Sequence, residues 1–242
     1  MTRQLPHLDY RQDFETALKG YALNDEAVSI LAITPLVLIA GPSSVGRDTI
    51  VQRLVESGKY YDIITTTTRP PRENNGILER DGVEYYFRPE VYVLEEVQAG
   101  RLIGPAIIHN QQVSGVSIQE FEKAQKLQKI AVTDLDPVGT LDVAALKSDV
   151  VVIFVLPPSF EEWLARINRR GAPAPEELKR RLEGAVKEYD LGLAHSDIFT
   201  YVVNDDLEKA VAEVDDIAHG RHHPANEATA QQLARQTSPM RW

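Results

Sequence analysis

The chain contains no cysteine. That absence excludes disulfides, cysteine-ligated zinc, iron–sulfur clusters and thiol catalysis together. It also lacks any long apolar run. The longest, Val150 to Pro158, falls far short of the roughly 20 residues that cross a bilayer. Met1 to Tyr10 holds no apolar signal core. A soluble, cytoplasmic protein with no membrane partner is the expectation. Positive charge is in deficit: 26 Lys and Arg against 36 Asp and Glu leave a formal net charge of -10. Broad nucleic-acid binding needs many cations against phosphate, so it is not expected here. A local basic pocket for a small phosphorylated molecule remains compatible with that balance.

What is present suits a globular protein. At 242 residues and 43% hydrophobic content, the chain can bury one substantial core with a small inserted domain. Tyr10, Phe14 and Leu18 recur at helical spacing, so residues 10 to 31 read as an added helix or helix pair. Near-continuous apolar runs at Leu36 to Ala40, Ile130 to Leu135 and Val150 to Leu156 suit strands buried on both faces of a parallel sheet. Helical stripes lie between them, at Ile50 to Val55, Phe160 to Ile167 and Leu178 to Tyr189. Ser117 and Glu120 spell a capping box for a helix reaching about Leu127. Residues Arg72 to Gly82 read as a loop. After Thr200 to Val203 a last helix is expected, capped at Asn204 or Asp205. From about Gly220 onward no periodicity is left, and a disordered tail is expected. Strands alternating with helices give an α/β fold with right-handed crossovers.

The sharpest motif is the strand Leu36 to Ala40 running into Gly41-Pro42-Ser43-Ser44-Val45-Gly46-Arg47-Asp48-Thr49. A strand, a glycine turn and a helix in that order form the setting of a phosphate-cradling P-loop. Gly41 and Gly46 allow close backbone approach, and the following helix N-terminus directs N–H groups at an anion. The usual Lys is replaced by Arg47, and the first hydroxyl is displaced to Thr49. A guanidinium is wider than an ammonium, so Arg47 is expected to keep charge and lose geometry.

Further motifs follow in order. Thr65-Thr66-Thr67-Thr68-Arg69-Pro70-Pro71-Arg72 precedes Gly82-Val83-Glu84-Tyr85-Tyr86-Phe87. Then come Thr133-Asp134-Leu135-Asp136, Leu156-Pro157-Pro158-Ser159, the arginines 166 to 181, and Val202-Val203-Asn204-Asp205. Taken together, residues 36 to 218 resemble the guanylate kinases. The resemblance implies a P-loop kinase fold: a central parallel sheet, a small monophosphate-binding insertion at about 67–127 and a helical lid at about 166–182. The domain would span 33–219, after an extension at 1–32 and before a tail at 220–242.

The same resemblance implies ATP, Mg²⁺ and a nucleoside monophosphate, GMP, as ligands. Gly41, Ser43, Ser44, Val45, Gly46, Arg47, Asp48, Thr49, Arg170 and Asn204 would hold ATP. Thr65, Arg69, Arg72, Tyr85, Ser114 and Asp134 would hold GMP. Thr49 and Asp134 would face the metal, while Asp136 is expected to be structural. Arg47, Arg166, Arg170 and Arg181 would neutralise the moving phosphoryl group. Paired guanidinium forks suit a dianionic phosphate.

The chain departs from the family elsewhere. The carboxylate that reads the guanine edge is missing from Leu102-Ile103-Gly104-Pro105. Ser114 stands where the family has Tyr. The segment from Arg72 to Tyr85 is longer than the family's. A phosphate half that is kept beside an eroded base half predicts slow turnover or relaxed base choice. Two rival expectations are an inactive guanylate kinase-like binding module and a kinase for a phosphorylated sugar. The assembly is expected to be a monomer or a homodimer.

Overall fold

A computed structural model describes residues 8–74, 76–108, 110–169, 173–221 and 226–237. The chain opens with α1 (Arg11–Ala17), α2 (Asp25–Ile33), β1 (Leu36–Ala40), α3 (Arg47–Glu56) and β2 (Tyr60–Asp62). Then follow β3 (Thr66–Thr67), β4 (Glu73–Asn74), β5 (Ile77–Leu78), β6 (Tyr86–Phe87), α4 (Glu90–Gln98), β7 (Leu102–Ile108), β8 (Gln112–Ser117) and α5 (Ile118–Lys126). The rest holds β9 (Ile130–Asp134), α6 (Pro137–Leu146), β10 (Val151–Leu156), α7 (Phe160–Arg169), α8 (Pro175–Ala194), β11 (Thr200–Val203), α9 (Leu207–Ala218) and α10 (Glu227–Thr237). None of the described helices is long and apolar enough to cross a membrane.

The chain divides into two compact units. One comprises Pro35–Asp62 and the residues from Val132 onward. Its five-stranded sheet runs in the order β11-β10-β1-β9-β2. β10 pairs in parallel with both β1 and β11. Every residue of β1 is buried, as its unbroken apolar run requires. α8 lies tight on β10: a Cβ at Gly192 would sit 2.9 Å from the Phe154 ring. Around Phe154, the rings of Tyr189, Phe199 and Tyr201 pack at centroid distances of 5.6 to 5.8 Å.

The other unit comprises the described residues up to Thr34 together with Ile63–Ala131. Its four-stranded sheet runs β6-β3-β8-β7, with β3 parallel to β6 and antiparallel to β8. The N-terminal helix pair belongs here. Leu8 and Phe14 are buried in one cluster with Val93, Leu94, Val97, Leu102 and Val113.

Several expectations are corrected. The tail expected to be disordered carries α10, which buries Ala230, Leu233 and Thr237 and packs on α8, α7 and β11. Its apolar residues are small and sparse, so its periodicity is faint. The segment read as a loop between Arg72 and Gly82 contains the β4–β5 hairpin, with Glu73 opposite Leu78. Ser117 does cap α5, accepting from the Gln119 amide. Glu120 does not complete the box: it is buried and accepts from the Ile64 amide at 3.1 Å. The last family helix is capped by Asp206, not by Asn204 or Asp205.

Candidate functional site

The glycine loop lies in the unit that carries the five-stranded sheet. Gly41 has φ 131°, and a Cβ there would lie 2.5 Å from the Val155 carbonyl. Gly46 has φ 102° and is the N-cap of α3, which begins at Arg47. The loop therefore ends on a helix N-terminus whose first N–H groups are available to an anion. Three distant side chains brace it. Trp163 Nε1 donates to the Ser43 carbonyl at 2.8 Å. Asn204 Nδ2 donates to the Val45 carbonyl at 2.8 Å. Arg166 donates to the same carbonyl at 3.4 Å and to the Asn204 carbonyl at 2.9 Å.

Ser44 sits at φ 69° with its hydroxyl buried and unpartnered among the described residues. Thr49 lies half-buried in the first turn of α3, beside the exposed Asp48.

Arg47 reaches the end of β9. It donates to the Leu135 carbonyl at 3.1 Å and lies 3.6 Å from the Asp134 carboxylate. Burial pushes the Asp134 carboxyl above its ordinary range, against the pull of Arg47 and with the push of Asp48. Asp136 is structural: it caps α6 by accepting from the amides of Val138 and Gly139. Glu188 on α8 was not foreseen from sequence. Burial pushes its carboxyl up to about 7, opposed by Arg47 and reinforced by Asp136. Its Oε2 is buried without a hydrogen-bond partner among the described residues.

Two of the three expected lid arginines lie among the described residues. Arg166 faces backbone carbonyls of the phosphate loop, and its Nε pairs with Glu162 at 3.1 Å. Arg181 pairs with Glu177 one turn earlier on α8 at 2.9 Å. Most of the segment expected as a lid is regular helix, because α7 runs to Arg169 and α8 starts at Pro175. Arg170 lies outside the described residues. Asn204 is 7% exposed and engages the loop backbone through its side-chain amide.

The second set of candidates gathers in the other unit. Arg69 is 5% exposed, under the rings of Tyr85 and Phe87 at 4.6 and 5.4 Å. Both its terminal nitrogens donate to Glu79, at 2.5 and 3.0 Å. Glu79 also accepts from the Arg72 amide at 2.8 Å. Hydrogen bonding to Arg69 holds its carboxyl below the ordinary range. Arg72 donates to the side-chain carbonyl of Gln112 at 3.3 Å, and the Gln112 amide donates to Ser114 at 3.3 Å. Ser114 in turn donates to Thr67 at 2.9 Å. Thr65 is half-buried at the start of the same segment.

Sequence reasoning missed Glu79 because it fell in a stretch read as a loop. The available signal was a lone carboxylate between two arginine-bearing turns. Gly104 has φ 57° with open space where a Cβ would be, and the β7–β8 register shifts between Ile103 and Ala106. Gly104 itself offers no side chain to a base edge.

The sheet, the glycine loop and the helix that leaves it are those of a P-loop kinase fold. A family model described as guanylate kinase matches residues 33–220. The chain is 37% identical to a guanylate kinase of Corynebacterium diphtheriae over 188 residues, which is 77% of this chain and 95% of that protein. It is 34% identical to guanylate kinase 1 of Oryza sativa subsp. japonica over 174 residues, spanning 71% of this chain and 44% of that protein. A guanylate kinase structure from Anaplasma phagocytophilum shares the fold at TM-score 0.54 and 22% identity, covering 80% of this chain and 88% of that one. The chain belongs to the guanylate kinase family.

Proposed function

We propose that the protein transfers the γ-phosphoryl group of ATP to the phosphate of GMP, giving ADP and GDP. A phosphate oxygen of GMP forms the new P–O bond while the bond to the β–γ bridging oxygen breaks, and ADP leaves with that electron pair. The observation that carries the reading is a preformed glycine loop on a helix N-terminus in a chain that also keeps a buried, oriented Arg69 beside Tyr85. The loop backbone would cradle the triphosphate. Arg69, Arg72 and Tyr85 would bind the acceptor phosphate, joined by Ser114 and Thr65.

Among the described residues no cluster of three or more acidic or histidine side chains could hold a metal alone. That fits Mg²⁺, which keeps several waters and binds through one or two protein oxygens plus substrate phosphates. Thr49 and Asp134 are the oxygens suited to hold it. The ion would supply charge neutralisation on the β- and γ-oxygens.

Open space at Gly104 favours relaxed base selection. A site that hydrogen-bonds a base edge rejects the wrong base strongly, and one without that group does not. A coupled ADP-release assay over GMP, dGMP, AMP and UMP tests both parts. Turnover of GMP with weak discrimination is expected; no turnover with any monophosphate removes the kinase reading.

A further inference from the structure

We infer that the N-terminal extension is a working part of the acceptor-binding unit, with Tyr21 as a positioning residue for the strand pair that carries Gln112 and Ser114. The inference rests on the proposed acceptor role of that unit. Residues before 33 lie outside the matched family region, so the family itself assigns the extension nothing.

β7 is the edge strand of the four-stranded sheet. An edge strand presents unpaired N–H and C=O groups on its outer side. At Leu102 one hydroxyl meets both: Tyr21 donates to the Leu102 carbonyl at 2.5 Å and accepts from the Leu102 amide at 3.1 Å. The tyrosine stands in for a missing strand. Asn24 extends the clamp upstream. Its amide nitrogen side chain donates to the Ala99 carbonyl at 2.7 Å, and its backbone N–H donates to the Gly100 carbonyl at 3.0 Å. The approach is close enough that a Cβ on Gly100 would sit 2.7 Å from the Asn24 nitrogen. Arg101 adds an ion pair to Glu26 at 2.7 Å.

The clamp falls just before the irregular part of the strand. Gly104 is at φ 57°, Pro105 has no N–H, and pairing resumes with Ala106 opposite Ser114 and Ile108 opposite Gln112. A one-residue slip of a strand turns its side chains to the opposite face. Beyond an interruption, register depends on what fixes the strand on its near side. Tyr21 and Asn24 fix it. Gln112 and Ser114 then meet Arg72 and Thr67 on one face of the sheet.

The test is Tyr21→Phe, which keeps the ring and removes the hydroxyl. The KM for GMP should rise about 5- to 10-fold, with the KM for ATP unchanged and kcat within about twofold, as for a residue acting on acceptor binding alone. Amide exchange over 112–117 should accelerate, while β1 and β10 keep their protection. Asn24→Ala should move both readouts in the same direction. An unchanged KM for GMP, even with a lowered Tm, assigns Tyr21 to stability only and overturns the inference. Unaltered exchange over 112–117 overturns it as well. If the wild type fails to turn over GMP, the acceptor reading is what falls, and the exchange measurement still decides whether Tyr21 holds the strand pair.

Discussion

Arg47 lies 3.6 Å from the carboxylate of Asp134, at the far end of the neighbouring strand. The residue where the family has lysine is thus docked on a strand end by a carboxylate and by the Leu135 carbonyl. One guanidinium nitrogen makes both contacts, and a lysine ammonium is a compact point charge on a shorter side chain that does not extend as far toward them. Arg47→Lys should therefore release the charge toward bound triphosphate and lower the KM for Mg-ATP by about threefold or more. Steady-state kinetics at saturating GMP reads the effect. Unchanged kinetics would show that the docking of Arg47 does not limit ATP use.

The second prediction concerns Gly46. Its φ of 102° is strained for any L side chain, and a Cβ there would sit 2.5 Å from Asn204 Nδ2. That nitrogen is held by the Val45 carbonyl and is not free to swing away. Gly46→Ala should abolish the thermal shift by Mg-ATP, which for a ligand at 100 times its Kd corresponds to about 2.7 kcal/mol. The shift by GMP should persist. Adding Asn204→Ala relieves the clash but not the backbone strain, so only part of the ATP response should return.

Glu188 sets a pH dependence. Its carboxyl titrates at about 7 in the folded protein, raised by burial from its ordinary value of 4.5. The native state thus binds the proton more tightly than the unfolded chain. Stability is full below the unfolded value and is lost as pH rises through about 7. Glu188→Gln removes the charged form and should stabilise the protein at pH 8.5, on the order of 2–3 kcal/mol. At pH 5 the two proteins should differ little. Equal Tm differences at both pH values would refute this account.

The fourth prediction concerns the C-terminal helix. Leu233 is 2% exposed within α10. Leu233→Ala should destabilise the protein by about 2–4 kcal/mol, the usual range for emptying a buried leucine site. Chemical denaturation would measure it. A cost near zero would mean that α10 is undocked in solution.

The central sheet and the phosphate loop were legible because their signals are local. Leu36 to Ala40 is uniformly apolar, and Gly41 and Gly46 mark positions where backbone geometry forbids a side chain. Arg69 and Tyr85 were legible as a pair only through the ordered motif. What escaped depends on contacts between distant residues. Nothing near Asn204 in sequence says that its amide closes on Val45, and nothing near Arg166 says that it turns to the same carbonyl. Glu79 resembled any solvated loop carboxylate, yet it meets both terminal nitrogens of Arg69. α10 was read as disordered because its buried face is made of Ala230, Leu233 and Thr237, too small and too few to stand out. Residues 10 to 31 were read only through the spacing of Tyr10, Phe14 and Leu18, which gives no sign that the Tyr21 hydroxyl bonds to Leu102.

The Val45 carbonyl accepts from two side chains contributed by separate stretches of the chain, Asn204 and Arg166. A loop held this way already has its ligand-ready curvature before any nucleotide arrives. The entropic penalty of ordering it falls on folding and not on association, so ATP capture should proceed without a slow rearrangement step.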